Sequence, residues 1–346
     1  MQHREHTLGN MAGGTPAIRD MAGGTPAVRE NFMQHSETNP EAAPAVAVNS
    51  LVHRYGKKTA LDGVTLEVPK GRVFGLVGEN GAGKTTLIRH LLGLLRPDAG
   101  TARVFGIDPV ADPVGVLSRV GCLSEDRDLP DWMRVDELMR YTQAFYPGWD
   151  ENYAEELREL FMLDWRTRVR SLSRGERAKA ALLCALAFRP ELLVLDEPSS
   201  GLDPAVRQDI LEAILRDVVA EGRTVLFSSH LLDEVERVSD IVAMIHHGKV
   251  VLCGPLDDIK AAHRRVVLHF EEAPARRPEG AGIISAKGSG REWTLLCEGG
   301  AEAAQTAAAA LGGRIVDDGV PSLEEIFLGR VLRDRPVAAE NGGSGK

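Results

Sequence analysis

From residue 45 onward, short apolar runs alternate with longer stretches in which apolar residues recur every three or four positions. Strands are predicted over 45–54 and 64–68, both of mixed alternation, and over 72–77, an apolar run that ends in glycine. A periodic helix over 84–95 is closed by Arg96-Pro97. A strand over 119–123 follows, then amphipathic helices over 135–145 and 152–161 separated by the turn-like Pro147-Gly148, then a helix over 174–188. Beyond them the pattern reads as a buried strand at 192–195, a helix at 204–219, a strand at 224–228 and a helix at 231–238. A hairpin over 241–245 and 249–252 turns at His247-Gly248. Strands alternating with helices imply an α/β fold with a mostly parallel core sheet. After about residue 259 the texture changes. Strands at 266–270, 282–286, 292–297 and 313–316 accompany an alanine-rich helix at 302–311 and a short amphipathic helix at 323–332, which reads as a small α+β appendage.

Both ends lack such patterning. MAGGTPAIRD at 11–20 is followed by MAGGTPAVRE at 21–30, a tandem repeat too rich in Gly, Pro and Thr to bury a face. It predicts a disordered leader over 1–44, with Met33 as an alternative start. The Gly/Ser-rich stretch over 336–346 predicts a disordered tail.

Composition narrows the classes. The chain has 346 residues, 41 basic against 50 acidic, for a net charge of −9, and 5% aromatics. That balance argues against a nucleic-acid partner, and few rings are available to stack on bases. The longest apolar stretch, 178–188, contains Lys179 and runs into Arg189-Pro190, well short of the roughly 20 residues of a membrane span. No apolar segment of a secretory signal is visible. Four scattered cysteines, Cys122, Cys184, Cys253 and Cys297, read as reduced cytosolic thiols. His246-His247 is an unpromising metal pair, because neighbours on a strand point to opposite faces.

Two stretches carry chemistry. Gly78-Glu79-Asn80-Gly81-Ala82-Gly83-Lys84-Thr85 fits G-x-x-x-x-G-K-[ST] between an apolar strand and a helix. Its glycines let backbone N–H groups turn inward as an anion nest, and the helix offers its positive end. Lys84 reaches β and γ oxygens, and the Thr85 hydroxyl can ligate Mg²⁺. Leu192-Leu193-Val194-Leu195-Asp196-Glu197 sets two acids at the C-terminal end of a buried strand, where ligands sit in open α/β sheets. Asp196 can hold Mg²⁺ through its water shell, and Glu197 can orient or deprotonate an attacking water. Together they define a P-loop nucleotidase.

Between them, Leu172-Ser173-Arg174-Gly175-Glu176 precedes a helix. In this order the chain resembles the ATP-binding subunit of ABC transporters, whose hallmark is LSGGQ. Arg174 stands in place of a glycine and Glu176 in place of the glutamine. The resemblance covers roughly 46–256 and implies an ABC ATPase cassette over 45–259, with an antiparallel β subdomain and a helical subdomain at about 126–190, followed by the appendage at 260–335. It implies that Ser173 and Gly175 touch the γ-phosphate held by a second ATP-binding subunit, although a simple helix N-cap is the alternative for Ser173. Tyr55 occupies the position that stacks on adenine, or is a core or edge-strand tyrosine. Ser200-Gly201-Leu202-Asp203 resembles the D-loop, and His230 the switch histidine. The implied set is catalytic Lys84, Glu197 and His230; nucleotide-binding Tyr55, Gly78, Asn80, Gly81, Gly83, Lys84, Thr85, Thr86, Ser173, Gly175 and Asp203; and Thr85, Asp196 and Glu125 for Mg²⁺. Glu125 holds the place of the Q-loop glutamine, and a carboxylate there still accepts from water and supports hydrolysis.

Tyr146-Pro147-Gly148-Trp149-Asp150 and Leu323-Glu324-Glu325-Ile326-Phe327-Leu328 resemble the bacterial type-2 export branch, which includes drug, bacteriocin-immunity and sodium exporters. The resemblance implies ATP and Mg²⁺, a transmembrane permease partner, a homodimer or a dimer with a homologue, and a place at the cytoplasmic face of the inner membrane. Trp132, Met133, Tyr146 and Trp149 are candidate permease contacts, or core of the helical insert. An importer ATPase with a regulatory C-terminal domain and a soluble non-transport ABC ATPase are the alternatives.

Overall fold

The structure, a computed structural model, describes residues 43–126, 128–213 and 221–333. The tandem repeat and the segment 336–346 lie outside the described residues. In chain order the first elements are β1 (Val46–Tyr55), β2 (Lys58–Val68), β3 (Val73–Val77), α1 (Lys84–Leu91), β4 (Ala99–Val104), α2 (Pro113–Leu117) and β5 (Val120–Leu123). The helical insert follows as α3 (Val135–Gln143), α4 (Glu151–Leu160) and α5 (Arg174–Leu186). Then come β6 (Leu192–Asp196), α6 (Pro204–Ala213), β7 (Thr224–Ser229), α7 (Leu232–Val238), β8 (Ile241–His246), β9 (Lys249–Pro255) and α8 (Leu256–Ala261). The appendage holds β10 (His263–His269), β11 (Ile283–Ser289), β12 (Glu292–Glu298), α9 (Gly300–Leu311), β13 (Arg314–Gly319) and α10 (Leu323–Arg333).

The core sheet has the order β5-β6-β7-β3-β8-β9 and is parallel except for β9. Its strands β3, β6 and β7 are buried along their whole length. That is why they read as unbroken apolar runs: helices or a second sheet cover both faces. A smaller antiparallel sheet, β2-β1-β4, packs over α1 through Val46, Val48, Leu51, Leu61 and Leu66. In the helical insert, Leu138, Met139, Leu157 and Phe161 turn inward onto the small residues Ala178, Ala181 and Ala185 of α5.

Three elements escape the sequence pattern. β4 is an edge strand with only Ala102 and Val104 buried, so its alternation is too short to register. The helices α2 and α8, of 5 and 6 residues, are too short for a period to register. The predicted helix at 84–95 ends earlier, at Leu91, because Gly93 takes φ 73° and a Cβ there would lie 2.2 Å from the Pro109 carbonyl oxygen. Arg96-Pro97 therefore follows the stop and does not make it.

In the appendage, the antiparallel order is β11-β12-β10-β13. Ala304, Ala307 and Ala308 of α9 pack on Val266, Leu268, Leu295 and Cys297, forming a small core of their own. The other face of that sheet, with Ile284 and Leu296, meets α10. There Leu323, Ile326, Phe327 and Val331 join the same buried cluster as Val235 of α7 and Leu256 of α8. At roughly 1.5–3 kcal/mol per fully buried apolar side chain, this seam binds the appendage to the cassette strongly. The Leu323 N–H donates to Glu236 Oε2 of α7 (2.9 Å), which directs the helix onto its seat.

Candidate active site

In a parallel sheet every strand finishes on the same edge, so the ends of β3, β5, β6 and β7 converge. β7 lies between β3 and β6. Residues that follow it are therefore held between the glycine-rich loop and the Asp196-Glu197 pair.

The loop is built for an anion. Gly83 takes φ 118°, and a Cβ there would sit 2.7 Å from the Ala60 carbonyl oxygen of β2, so only glycine fits. It starts α1 with no side-chain cap and no acid in the first turn, leaving the helix N–H groups and positive end open to a phosphate. Asn80 and Gly81 are exposed at the loop tip, while Thr85 and Thr86 are half-buried in the first turn.

Lys84 Nζ donates to the Gly78 carbonyl (2.6 Å) and lies 3.1 Å from Glu197 Oε1, with both side chains only 5% exposed. The pair is an ion pair without hydrogen-bond alignment, which leaves Glu197 Oε1 an unsatisfied buried oxygen. Glu197 Oε2 is held by His230, by the ring Nδ1 at 2.7 Å and the backbone N–H at 3.3 Å. Since a carboxylate only accepts, Nδ1 carries the proton and Nε2 remains available to a ligand. Glu197 takes φ 49°, a left-handed conformation that side chains resist. Its backbone is fixed nonetheless, its N–H donating to the Ser228 carbonyl (3.1 Å) and Oγ (3.2 Å). The Ser228 hydroxyl donates to Asp196 Oδ1 (2.6 Å), which orients that buried carboxylate. Burial, and secondarily the Asp196 charge, push the Cys122 thiol up to about 12, so it stays protonated beside the site.

Sequence reasoning missed Ser228 and a second network behind it. Buried Glu234 of α7 accepts from Ser199 Oγ (2.7 Å) and lies 3.1 Å from Arg207 Nε of α6. It ties the segment after Glu197 to the helix after His230. The available signal was the polar pair Ser228-Ser229 ending an otherwise apolar strand.

The remaining candidates lie apart from the Lys84–Glu197–His230 cluster. Ser173 and Glu176 form a capping box: the Ser173 Oγ accepts from Glu176 N (3.2 Å), and Glu176 Oε2 accepts from Ser173 N (2.8 Å). The Ser173 side chain, and secondarily its backbone N–H, hold the Glu176 carboxyl below its usual range. The N-cap role is thus real, and the Ser173 hydroxyl is turned toward Glu176. Gly175 faces Val206 of α6. Asp203 accepts from Val206 N (3.1 Å), opening α6. Glu125 is exposed and lines an open cavity of about 490 Å³ with Leu172, Arg174, Ser200 and Gly201. Tyr55, 45% exposed, stands on β1. A larger cavity, about 720 Å³, lies in the appendage beside Arg276 and Glu279 and includes none of these residues.

Several expectations change. Met133 is buried in the insert core, Tyr146 stacks on Phe188 (3.7 Å between ring centroids) and Trp149 Nε1 donates to Glu151 (3.1 Å). Of the four candidate apolar contacts only Trp132, 68% exposed, is presented outward. His246 and His247 do not point apart. The strand ends at His246, His247 takes φ 48° in the turn, and the rings come within 4.0 Å. Among the described residues no group of three or more His, Cys, Asp or Glu is placed to hold a metal.

The ABC transporter family pattern matches residues 61–200. The chain is 36% identical over 255 residues to the daunorubicin/doxorubicin resistance ATP-binding protein DrrA of Streptomyces peucetius, covering 72% of this chain and 77% of that one. It is 32% identical over 321 residues to the Nod factor export ATP-binding protein I of Ralstonia nicotianae, covering 85% and 96%. Among solved structures, an ATP-binding subunit of an ABC transporter superposes with a TM-score of 0.58 at 31% identity, covering 62% of this chain and 92% of that one. With the phosphate loop, its paired acids and its histidine assembled on a parallel sheet, the chain belongs to the ATP-binding subunits of ABC transporters, P-loop ATPases that couple ATP hydrolysis to transport.

Proposed function

We propose that this chain energises export through a separate transmembrane permease, working as a dimer that encloses two ATP molecules head to tail. The observation that carries this reading is the separation within one chain. Lys84, Glu197 and His230 form one cluster through direct contacts, while Ser173 is engaged with Glu176 at the capped start of α5, outside that cluster. A second subunit would supply that Ser173 to complete the site. The type-2 export strings and relatives named for drug resistance and Nod factor export support the direction of transport. No described helix is long and apolar enough to cross a membrane, in keeping with a peripheral subunit at the cytoplasmic face of the inner membrane. Trp132, with the exposed Tyr141 and Phe145 of the insert, offers the permease an apolar contact.

In the proposed mechanism Lys84 leaves Gly78 and Glu197 for the β and γ oxygens, and Glu197, steered by His230, takes a proton from the attacking water. Tyr55 stacks on adenine, and the exposed Asn80 and Gly81 close over the phosphates. Thr85 and Asp196, whose Oδ2 is not engaged by Ser228, offer the hard oxygen donors that Mg²⁺ prefers, with Glu125 as the outer acid. The ion neutralises charge on the phosphate oxygens when bound. Purified chain should hydrolyse ATP with a Hill coefficient above 1.5, approaching the two coupled sites expected of a dimer. It should sediment with permease-containing vesicles and stay in solution with permease-free ones. Hyperbolic hydrolysis by a monomer would overturn the reading.

The exposed Glu125 is solvated, and its charge is screened, so it should cost little as a replacement for glutamine. Wild type and Glu125→Gln are expected to hydrolyse ATP at rates within about threefold of each other. An inactive wild type restored by Glu125→Gln would contradict this.

A further inference from the structure

Two histidines outside the catalytic cluster sit in an unusual position. His53 lies two residues before Tyr55 on β1, so both side chains share a face. Their ring centroids are 4.6 Å apart with planes at 81°. On its far side His53 meets His90 of α1, at 4.8 Å and 75°. His53 is 8% exposed and His90 1%, and no ring nitrogen of either has a well-formed hydrogen bond. Burial and the neighbouring His53 hold His90 below the usual histidine range, against the opposing pull of the Leu95 carbonyl and the Asp98 carboxylate. His90 therefore packs as a neutral aromatic ring. Asp98 also clamps β1 around His53: its N–H donates to the Val52 carbonyl (2.9 Å), and its Oδ2 accepts from Arg54 N (2.7 Å).

We propose that the ladder Tyr55–His53–His90 fixes the nucleobase platform to the phosphate-binding helix, with His53 as the positioning residue that pre-orients Tyr55 for adenine. The proposal rests on the reading of Tyr55 as that platform. An exposed tyrosine at the end of a strand is free to turn about its side-chain torsions. An edge-to-face contact holds it in one orientation, so less freedom is lost when a base stacks. His90 sits in the last turn of the helix that Lys84 begins, so base and phosphate contacts are referred to one rigid element.

The test is calorimetric titration of the full chain with ATP and with inorganic tripolyphosphate, which lacks the base. His53→Leu keeps apolar volume and removes the ring. It is expected to weaken ATP about fivefold and to leave tripolyphosphate within about twofold. His53→Phe restores an aromatic ring and should keep ATP within about twofold of wild type. Unchanged ATP affinity in His53→Leu, or equal weakening of both ligands, would overturn the proposal, the latter because it marks general destabilisation. Tyr55→Ala separates the two readings. If it leaves ATP affinity unchanged, the platform itself is wrong; if it weakens ATP while His53→Leu does not, only the ladder fails.

Discussion

Glu197→Gln is expected to bind ATP and barely hydrolyse it, and light scattering should show the mass doubling when ATP is added. The amide keeps the shape of the side chain, so the φ 49° backbone and its hydrogen bonds to Ser228 are undisturbed. On the proposed mechanism, what is lost is the proton acceptor for the attacking water. Removing such a base costs about 10²- to 10⁴-fold in rate. The carboxylate charge beside the phosphates is lost too, which favours the nucleotide-bound state. With reset blocked, the closed dimer accumulates. A profile that stays monomeric with ATP present would count against a site shared between two subunits.

Lys84→Ala should abolish measurable ATP binding. Its ammonium stands at the open end of α1, and it lies 5% exposed against Glu197. Removing it has two consequences. The phosphates lose a charge-assisted partner, and Glu197 is left buried with His230 alone. Breaking a buried ion pair by removing one member typically costs about 3–5 kcal/mol, and His230 offsets part of that. The apo protein should therefore melt earlier as well, and calorimetry with a thermal scan reads both effects. Lys84→Met, which keeps most of the volume, should lose binding with a smaller drop in melting temperature. Unchanged ATP affinity in both variants would mean that the phosphates sit elsewhere.

How much of this was legible in the sequence follows from where each signal resides. β3, β6 and β7 were found because both faces are buried, which forces an unbroken apolar run. The phosphate loop and the acids were found because their spacing is dictated by backbone geometry that few sequences satisfy. β4 was not, since an edge strand with two buried residues leaves an alternation too short to register. The Ser199–Glu234–Arg207 network and the His53–His90 contact were out of reach for another reason. Each joins residues that only tertiary packing brings together, and a buried glutamate or histidine looks the same in sequence as an exposed one. Trp132 and Met133 show the limit most sharply: they are adjacent apolar residues of one turn, and packing sends one out and the other in.

The seat of α10 has a consequence for the order in which the protein is made. Leu323, Ile326, Phe327 and Val331 complete a cluster begun by Val235 and Leu256, so the cassette's interior is not sealed until residue 331 has left the ribosome. At about 5–20 residues per second, the stretch from 260 to 331 takes roughly 4–14 s to synthesise. For that interval the nascent cassette presents an apolar groove to the cell, at the stage when chaperones have the most to protect.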